Sequence, residues 1–492
     1  MASGEVDAIS PYDTYTSPLA TRNASRAMLG VWSARNKFAT WRRVWLAVAE
    51  AQHDLGLPVT AAQVAELRAN LEVTDEDLSR AERHERELRH DVMAHVHAWG
   101  DRCPLAKGII HLGLTSEDVG SNADLLIIDA ARRLIRLKVI RLILALADRA
   151  LEFKGVPCLG FTHYQPAQPV TVGRRIAGWA YDLELCRERL EGLGPVGGAG
   201  GVRLRGVRGA TGTQASFLAL AGTGAAVDRL EGLVLEKLAR SGGAFALGGQ
   251  TYPRVLDTFV LADLASVASV LHKMATDIRL LCGRKELDEP FEEKQIGSSA
   301  MPYKRNPMRC ERVCGLSRFV MNLVGNAYDT AATQWLERTL DDSSNRRLSL
   351  PEAFLALDGA LDLMHNVAAG LVVHEATVRA NLMAELPFMA SENLMMEAVK
   401  VGRDRQAVHE AIRRHAQAAG WAVKEEGKAN DLIERLRGEP LLAGVDLDAA
   451  MEPMRYLGRS VEQTEGFVEG LGALRERARE ELGDVGNDGP RV

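Results

Sequence analysis

The segment GSSAMPYKRNP, residues 297 to 307, concentrates groups that can move a proton and hold an anion. Ser298 and Ser299 bring hydroxyls, and Gly297 brings backbone freedom. Lys304 and Arg305 bring positive charge just ahead of a helix start, where anionic groups are stabilised. The plain alternative is a capped turn with solvated cations. Asn306 followed by Pro307 predicts an N-cap and a first helical residue, so Glu311 falls about one turn into that helix. A second segment, GFTHYQPAQ at 160 to 168, holds Thr162 and His163 in a proline-bearing stretch that reads as extended backbone, which fixes an imidazole in a loop. Taken singly, such a histidine is more often structural than catalytic. A third segment, IIHLGLTS at 109 to 116, supplies His111, Thr115 and Ser116, and either hydroxyl residue can cap a following helix.

The elements that must position these groups read as helices. A 46% hydrophobic content with only 5% aromatic residues favours helix over sheet, so the expected fold class is all-α. Patterning starts near Trp32, after a polar arm, and a first helical domain spans 1–114. A central domain, 115–373, carries the longest periodic runs. Val260, Leu264, Val267, Leu271, Met274, Ile278 and Leu281 alternate steps of four and three, as in a bundle helix. Ile128, Ile135, Val139, Leu142 and Leu146 form another stripe, on a helix whose remaining faces carry Arg and Asp and are expected in solvent. The pattern breaks over 283–306, a loop long enough to be functional. A smaller helical domain occupies 374–492.

Several function classes are set aside. A formal net charge of −6 argues against bulk attraction to nucleic acid or an anionic membrane. Six scattered cysteines without a CxxC pair, and a start lacking a basic and then apolar run, fit a reducing, cytoplasmic setting. No stretch approaches the about 18 uninterrupted apolar residues of a membrane span. Gly192, Gly194 and Gly197 have GxGxxG spacing but follow a helical run and open no strand-turn-helix unit, so a flexible surface loop is the better reading. The histidines between His84 and His111 include no HExxH, so no metal site is expected. A GxxxxGK[ST] phosphate loop is absent.

The three chemistry-bearing segments resemble signatures of the fumarase/aspartase superfamily. The pattern GSSxMPxKxN is matched at every fixed position, and THxQPAQ is matched at 162 to 168. Three further stretches, RHDVMAHVH at 89 to 97, KRNPMRCER at 304 to 312 and QWLERTLDDSSNRR at 334 to 347, are similar to the adenylosuccinate lyase family within it, and to its animal-type branch. The resemblance covers roughly residues 17 to 440.

That resemblance implies a three-domain fold around a central bundle of long helices, with no metal or organic cofactor. It also implies a homotetramer in which three subunits build each site. The implied reaction is β-elimination of fumarate from a small phosphorylated nucleotide. Ser298 is then the base, His163 the acid and Glu311 the group that orients the histidine, while Lys304 stabilises developing charge. One phosphate and two carboxylates call for directed cations, and Arg22, Arg89, Arg312, Arg338 and Arg347 fall in the matching segments with Ser343. His90, Asp91, His111, Thr115, Ser116, Thr162, Gln250, Ser299 and Asn306 are the implied polar partners. Asn23 is implied as well, but departs from the aromatic residue that commonly follows Arg22. Two rivals remain: another superfamily lyase, such as argininosuccinate lyase, and a helical scaffold that has lost the chemistry.

Overall fold

The computed structural model describes residues 13–192 and 201–484. Its principal elements in chain order begin with α1 (Ala34–Asp54), α2 (Asp75–Leu88), α3 (Asp91–Arg102) and α4 (Ser116–Glu152). A hairpin, β1 (Pro157–Thr162) and β2 (Gln165–Thr171), leads into α5 (Val172–Glu191) and α6 (Val255–Gly283). Then come β3 (Leu287–Asp288), α7 (Met308–Ala332), α8 (Asp341–Ala369), β4 (Val372–Val373), α9 (Ser460–Gly470) and α10 (Gly472–Glu481). The named strands form two small antiparallel pairs, β1 with β2 and β3 with β4, in an otherwise helical chain, so the all-α reading holds. Gly194 and Gly197 of the glycine-rich run lie outside the described residues.

Helices α4 to α8 pack as a bundle, α6 against α5, α7 and α8, and α4 against α5 and α8. The step-four, step-three series on α6 explains its place. All seven residues from Val260 to Leu281 in that series are buried, because the spacing returns to one helix face at each turn. By length and composition α6 could cross a bilayer, with a mean hydropathy of 1.5, but its apolar face is spent on neighbouring helices.

The stripe on α4 is buried as predicted, yet the expectation that its charged faces lie in solvent is wrong. Asp118, Arg132 and Lys138 are buried too. The bundle surrounds α4 with partners: Lys138 Nζ lies 2.5 Å from Asp358 and 2.7 Å from Asp362 on α8, and Arg132 donates to the Leu190 carbonyl at 3.1 Å. A charge stays buried only where opposite charge and hydrogen bonds replace water.

Helical structure also starts before Trp32, in a turn at Leu19–Asn23 and a six-residue helix at Arg26–Val31, both too short to show a period. Ser25 caps the second, its Oγ accepting from Met28 N–H at 3.2 Å, while its own N–H donates to Asp358 at 2.7 Å and ties the arm to α8. Beyond β4, Leu394, Ile412 and Leu436 belong to a separate apolar cluster. Helices α9 and α10 return to pack on α4 and α5.

Asp118 is the anchor at the start of α4. Its Oδ2 accepts from Thr115 N–H at 2.8 Å, and its Oδ1 from the N–H groups of Arg208 at 2.7 Å and Gly209 at 3.0 Å. The Arg205 guanidinium donates to the same oxygen. Removing this carboxylate strands a guanidinium that is 1% exposed. Asp118→Ala is therefore expected to lower unfolding free energy by about 3–5 kcal/mol. A chemical denaturation curve superimposable on that of the parent would contradict it.

Candidate active site

A cavity of about 1370 Å3 opens where the α2–α3 turn, the start of α4 and the first half of α8 meet. Nine of the sequence-predicted residues line it. Arg89, His90 and Asp91 come from the turn, Thr115 and Ser116 from the start of α4, Gln250 from the segment before α6, and Arg338, Ser343 and Arg347 from the start of α8 and the residues leading into it. The backbone holds several of them in unusual places. Arg89 ends α2 in the left-handed region with φ 53°, and His90 is then the N-cap of α3. Leu336, also on the lining, has φ 48°. Non-glycine residues in that region store strain, and strain gathers at functional sites.

The electrostatics of the cavity are those of an anion site already occupied by the protein's own carboxylates. Arg338 lies 2.7 Å from Glu117 and donates to Gln250 Oε1 at 3.3 Å. Arg347 lies 3.1 Å from Asp91. Burial would raise the Glu117 carboxyl, but the Arg338 charge and the Ser121 hydroxyl outweigh it and hold it below the usual range. Asp91 behaves alike: burial is outweighed by the Val92 N–H and by the Arg347 and Lys37 charges. His111 is not on the lining; it has φ 130°, and its Nδ1 accepts from Trp45 Nε1 at 3.1 Å. Burial pushes its pKa down, so the ring is neutral with its proton on Nε2.

Thr162 and His163 are elsewhere, on the β1–β2 hairpin. Thr162 pairs with Gln165, which leaves His163 and Tyr164 as a two-residue turn with φ of 52° and 58°. Two left-handed residues in succession are the geometry usually given to Asn-Gly. The expected extended loop is thus a hairpin that presents an exposed imidazole at its tip. Gly160 permits the bulge in β1, since a Cβ there would sit 2.3 Å from the Gln168 carbonyl.

Ser298, Ser299, Lys304 and Asn306 form a third group on the loop before α7. Ser298 Oγ accepts from the N–H groups of Ala300 at 3.3 Å and Met301 at 3.2 Å, and such bonds favour an alkoxide over a hydroxyl. Asn306 is not the N-cap. Its side chain donates to the Gly297 carbonyl at 2.9 Å and closes the loop, so α7 starts at Met308 with Pro307 as cap. Gly297 is obligatory here, because a Cβ would meet the Lys304 carbonyl at 2.1 Å.

The helix end is also not open to a substrate. Buried Glu289 accepts from Arg309 N–H at 3.0 Å and Cys310 N–H at 2.6 Å, so an internal carboxylate already takes the positive pole of α7. Arg309 returns the clamp by donating to the Pro290 carbonyl and to Glu292. Glu311 is exposed, 3.9 Å from Arg279. Arg312 lies near Arg22 of the amino-terminal arm, and burial, then the Arg22 charge, lowers its pKa. Asn23 donates to the Pro18 carbonyl at 2.9 Å.

The lining of the cavity includes none of Ser298, His163, Lys304 or Glu311. One chain therefore leaves the hairpin residues, the loop residues, and Arg22 with Arg312 off the lining that the nine share. Sequence reasoning missed Lys37, Glu117 and Glu289. Glu117 directly follows the LTS segment, and Glu289 lies within the predicted loop, so position alone was their signal. Lys37 carried none. Among the described residues no cluster of His, Cys, Asp and Glu side chains is arranged to hold a metal.

Comparison with known proteins places this arrangement. A family profile described as Lyase matches residues 20–322, and one described as Adenylosuccinate lyase C-terminus matches residues 387–467. The adenylosuccinate lyase of Saccharomyces cerevisiae is 48% identical over 93% of this chain and 95% of its own length. That of Schizosaccharomyces pombe is 46% identical over 93% and 94%. The chain belongs to the adenylosuccinate lyase family.

Solved structures share the fold of this family member. A fumarate lyase from Mesorhizobium sp. BNC1 aligns with a TM-score of 0.77 at 23% identity, covering 93% of this chain and 100% of that one. The 3-carboxy-cis,cis-muconate lactonizing enzyme from Pseudomonas putida aligns with a TM-score of 0.78 at 24% identity, covering 93% and 99%.

The clamp around Glu289 is open to test. Glu289→Gln keeps the shape but turns an accepting oxygen into a donor facing an N–H, a loss of about 1–3 kcal/mol. The loop should then open more often, and trypsin should cut faster after the exposed Lys294, Lys304 and Arg305. Equal cleavage rates in parent and variant would count against the clamp.

Proposed function

We propose that this chain catalyses β-elimination of fumarate from adenylosuccinate, giving AMP, and from succinylaminoimidazole carboxamide ribotide, giving AICAR. The observation that carries this reading is the pair of backbone N–H groups on Ser298 Oγ. A serine is a poor base in water, and a loop that hydrogen-bonds its oxygen lowers the cost of the alkoxide. Ser298 takes a proton from the carbon next to a succinyl carboxylate, and the electron pair is held as a carbanion-like dianion near Lys304. The C–N bond then breaks, its electrons pass to nitrogen, and His163 protonates that nitrogen. Glu311 balances the charge of the histidine.

In this reading Arg338, Ser343 and Arg347, with Arg89 and His90, hold the phosphate, while Thr115, Ser116 and Gln250 serve the succinyl carboxylates. The ion pairs of Arg338 with Glu117 and of Arg347 with Asp91 supply exchangeable counter-ions that a bound anion displaces. The charged lining also favours this reading over a non-catalytic scaffold, which has no use for such costly groups.

The working assembly we propose is a cytoplasmic homotetramer, each site drawing the cavity, the hairpin and the loop from three subunits. Two features support it. In one chain the hairpin and loop residues lie off the cavity lining. In addition, apolar side chains stay exposed along the bundle, among them Phe259 on α6, Phe319 and Tyr328 on α7, and Leu348 on α8, a pattern that marks a covered face.

Purified protein should release fumarate from both succinyl nucleotides in a spectrophotometric assay. Turnover of argininosuccinate alone would overturn the assignment. Ser298→Ala and His163→Ala should each lower kcat at least about 100-fold with little change in folding. Because base and acid come from different subunits in this reading, co-refolded mixtures of the two variants should regain activity. A mixture as inactive as its components, although hybrid tetramers form, would refute the shared site.

A further inference from the structure

Lys37 lies in the first turn of α1 and lines the cavity beside Arg89, Ser343 and Arg347. Its Nζ stands 5.0 Å from the centre of the Trp41 ring and 5.3 Å from that of Phe38, so the ammonium rests against two aromatic faces. Among the described residues it makes these ring contacts and no ion pair. The nearby carboxylates have other partners: Asp91 has Arg347 at 3.1 Å and the Val92 N–H at 2.7 Å, and Asp124 has Arg346 at 3.1 Å. Glu85 is exposed at the cavity edge.

Burial works against this ammonium, and so does the charge of Arg347, and together they lower its pKa despite Asp124, Asp91 and Glu85. A second cation set beside a first raises the cost of keeping both charged. A dianion placed between them turns that cost into attraction. The chemistry of the corner selects phosphate: two facing cations and the Ser343 hydroxyl suit a group of nearly two negative charges. A lone carboxylate is served by neutral donors such as Thr115 and Ser116.

We propose that Lys37 is a phosphate-binding residue, its ammonium and the Arg347 guanidinium holding the substrate phosphate between them. The assignment rests on reading the substrate as a phosphorylated nucleotide. It adds a cation from α1 to a group otherwise drawn from α8 and the α2–α3 turn. It also gives a reason for the aromatic pair, Phe38 and Trp41, beside this ammonium.

The test compares the intact protein with Lys37→Met, Lys37→Gln and Lys37→Arg, using calorimetry with inorganic phosphate and separately with fumarate. Lys37→Met should raise the Kd for phosphate about 10-fold, the loss of one charge-assisted contact, and leave that for fumarate within about 2-fold. Lys37→Gln gives the same comparison should the methionine variant not fold, and Lys37→Arg should recover most of the affinity. In turnover, KM for adenylosuccinate should rise by a similar factor with kcat nearly unchanged. Succinyladenosine, which lacks the phosphate, should be handled alike by parent and variant.

An unchanged phosphate Kd in the folded variants, an equal loss for fumarate, or no phosphate binding by the parent would each overturn the proposal. If the parent fails to turn over adenylosuccinate, the proposed function falls, while the phosphate comparison still decides the role of Lys37.

Discussion

A guanidinium drawn out of bulk water needs an opposite charge beside it, and this constraint organises the molecule. Two solutions coexist. Inside the bundle, charges are paired for good: Arg346 is fixed by Asp257 at 2.7 Å, Arg254 by Asp342 at 2.6 Å and Lys138 by two aspartates on α8. On the cavity wall, Arg338 and Arg347 are paired with carboxylates that themselves face the opening. The first kind holds helices in register, and the second faces the opening. Both draw on α8 or the residues leading into it, so the helix that closes the bundle also forms part of the cavity wall.

The N-terminus of α7 obeys the same constraint in another way. Its free N–H groups are a ready anion site, as the sequence suggests, but buried Glu289 occupies them. The donors left on the loop are its own, the N–H groups of Ala300 and Met301 on Ser298 Oγ and the exposed ammonium of Lys304. Glu289 and Arg309 fix the two stems, and Asn306 closes the loop onto Gly297. What is left to move is the exposed stretch between these ties.

Periodicity made the bundle legible, because a helix buried along one stripe repeats in sequence what it does in space. The α6 series was read correctly down to Leu281. The burial of Arg132 and Lys138 on α4 was not, since a charged residue looks the same whether its partner is water or an aspartate more than two hundred residues away. The hairpin was hidden for a similar reason: His163 and Tyr164 are not turn formers by propensity, and their left-handed conformation is imposed by the pairing of Thr162 with Gln165. Nine predicted residues do share one cavity, but local patterns could not say that Ser298 and His163 stand outside it. Lys37 escaped altogether, because a lysine in an amphipathic helix normally signals a solvated face.

The departure at Asn23 can be given a physical content. The amide of Asn23 turns inward to the Pro18 carbonyl and closes the short turn that carries Arg22. Behind it, Gly359 lets the arm lie directly on α8, since a Cβ there would meet the Asn23 carbonyl at 2.5 Å. An aromatic side chain could not make that hydrogen bond, so Asn23 supplies a local tie of the backbone. The arm, tied in this way to α8, holds Arg22 near Arg312, whose pKa is lowered by burial and then by the Arg22 charge.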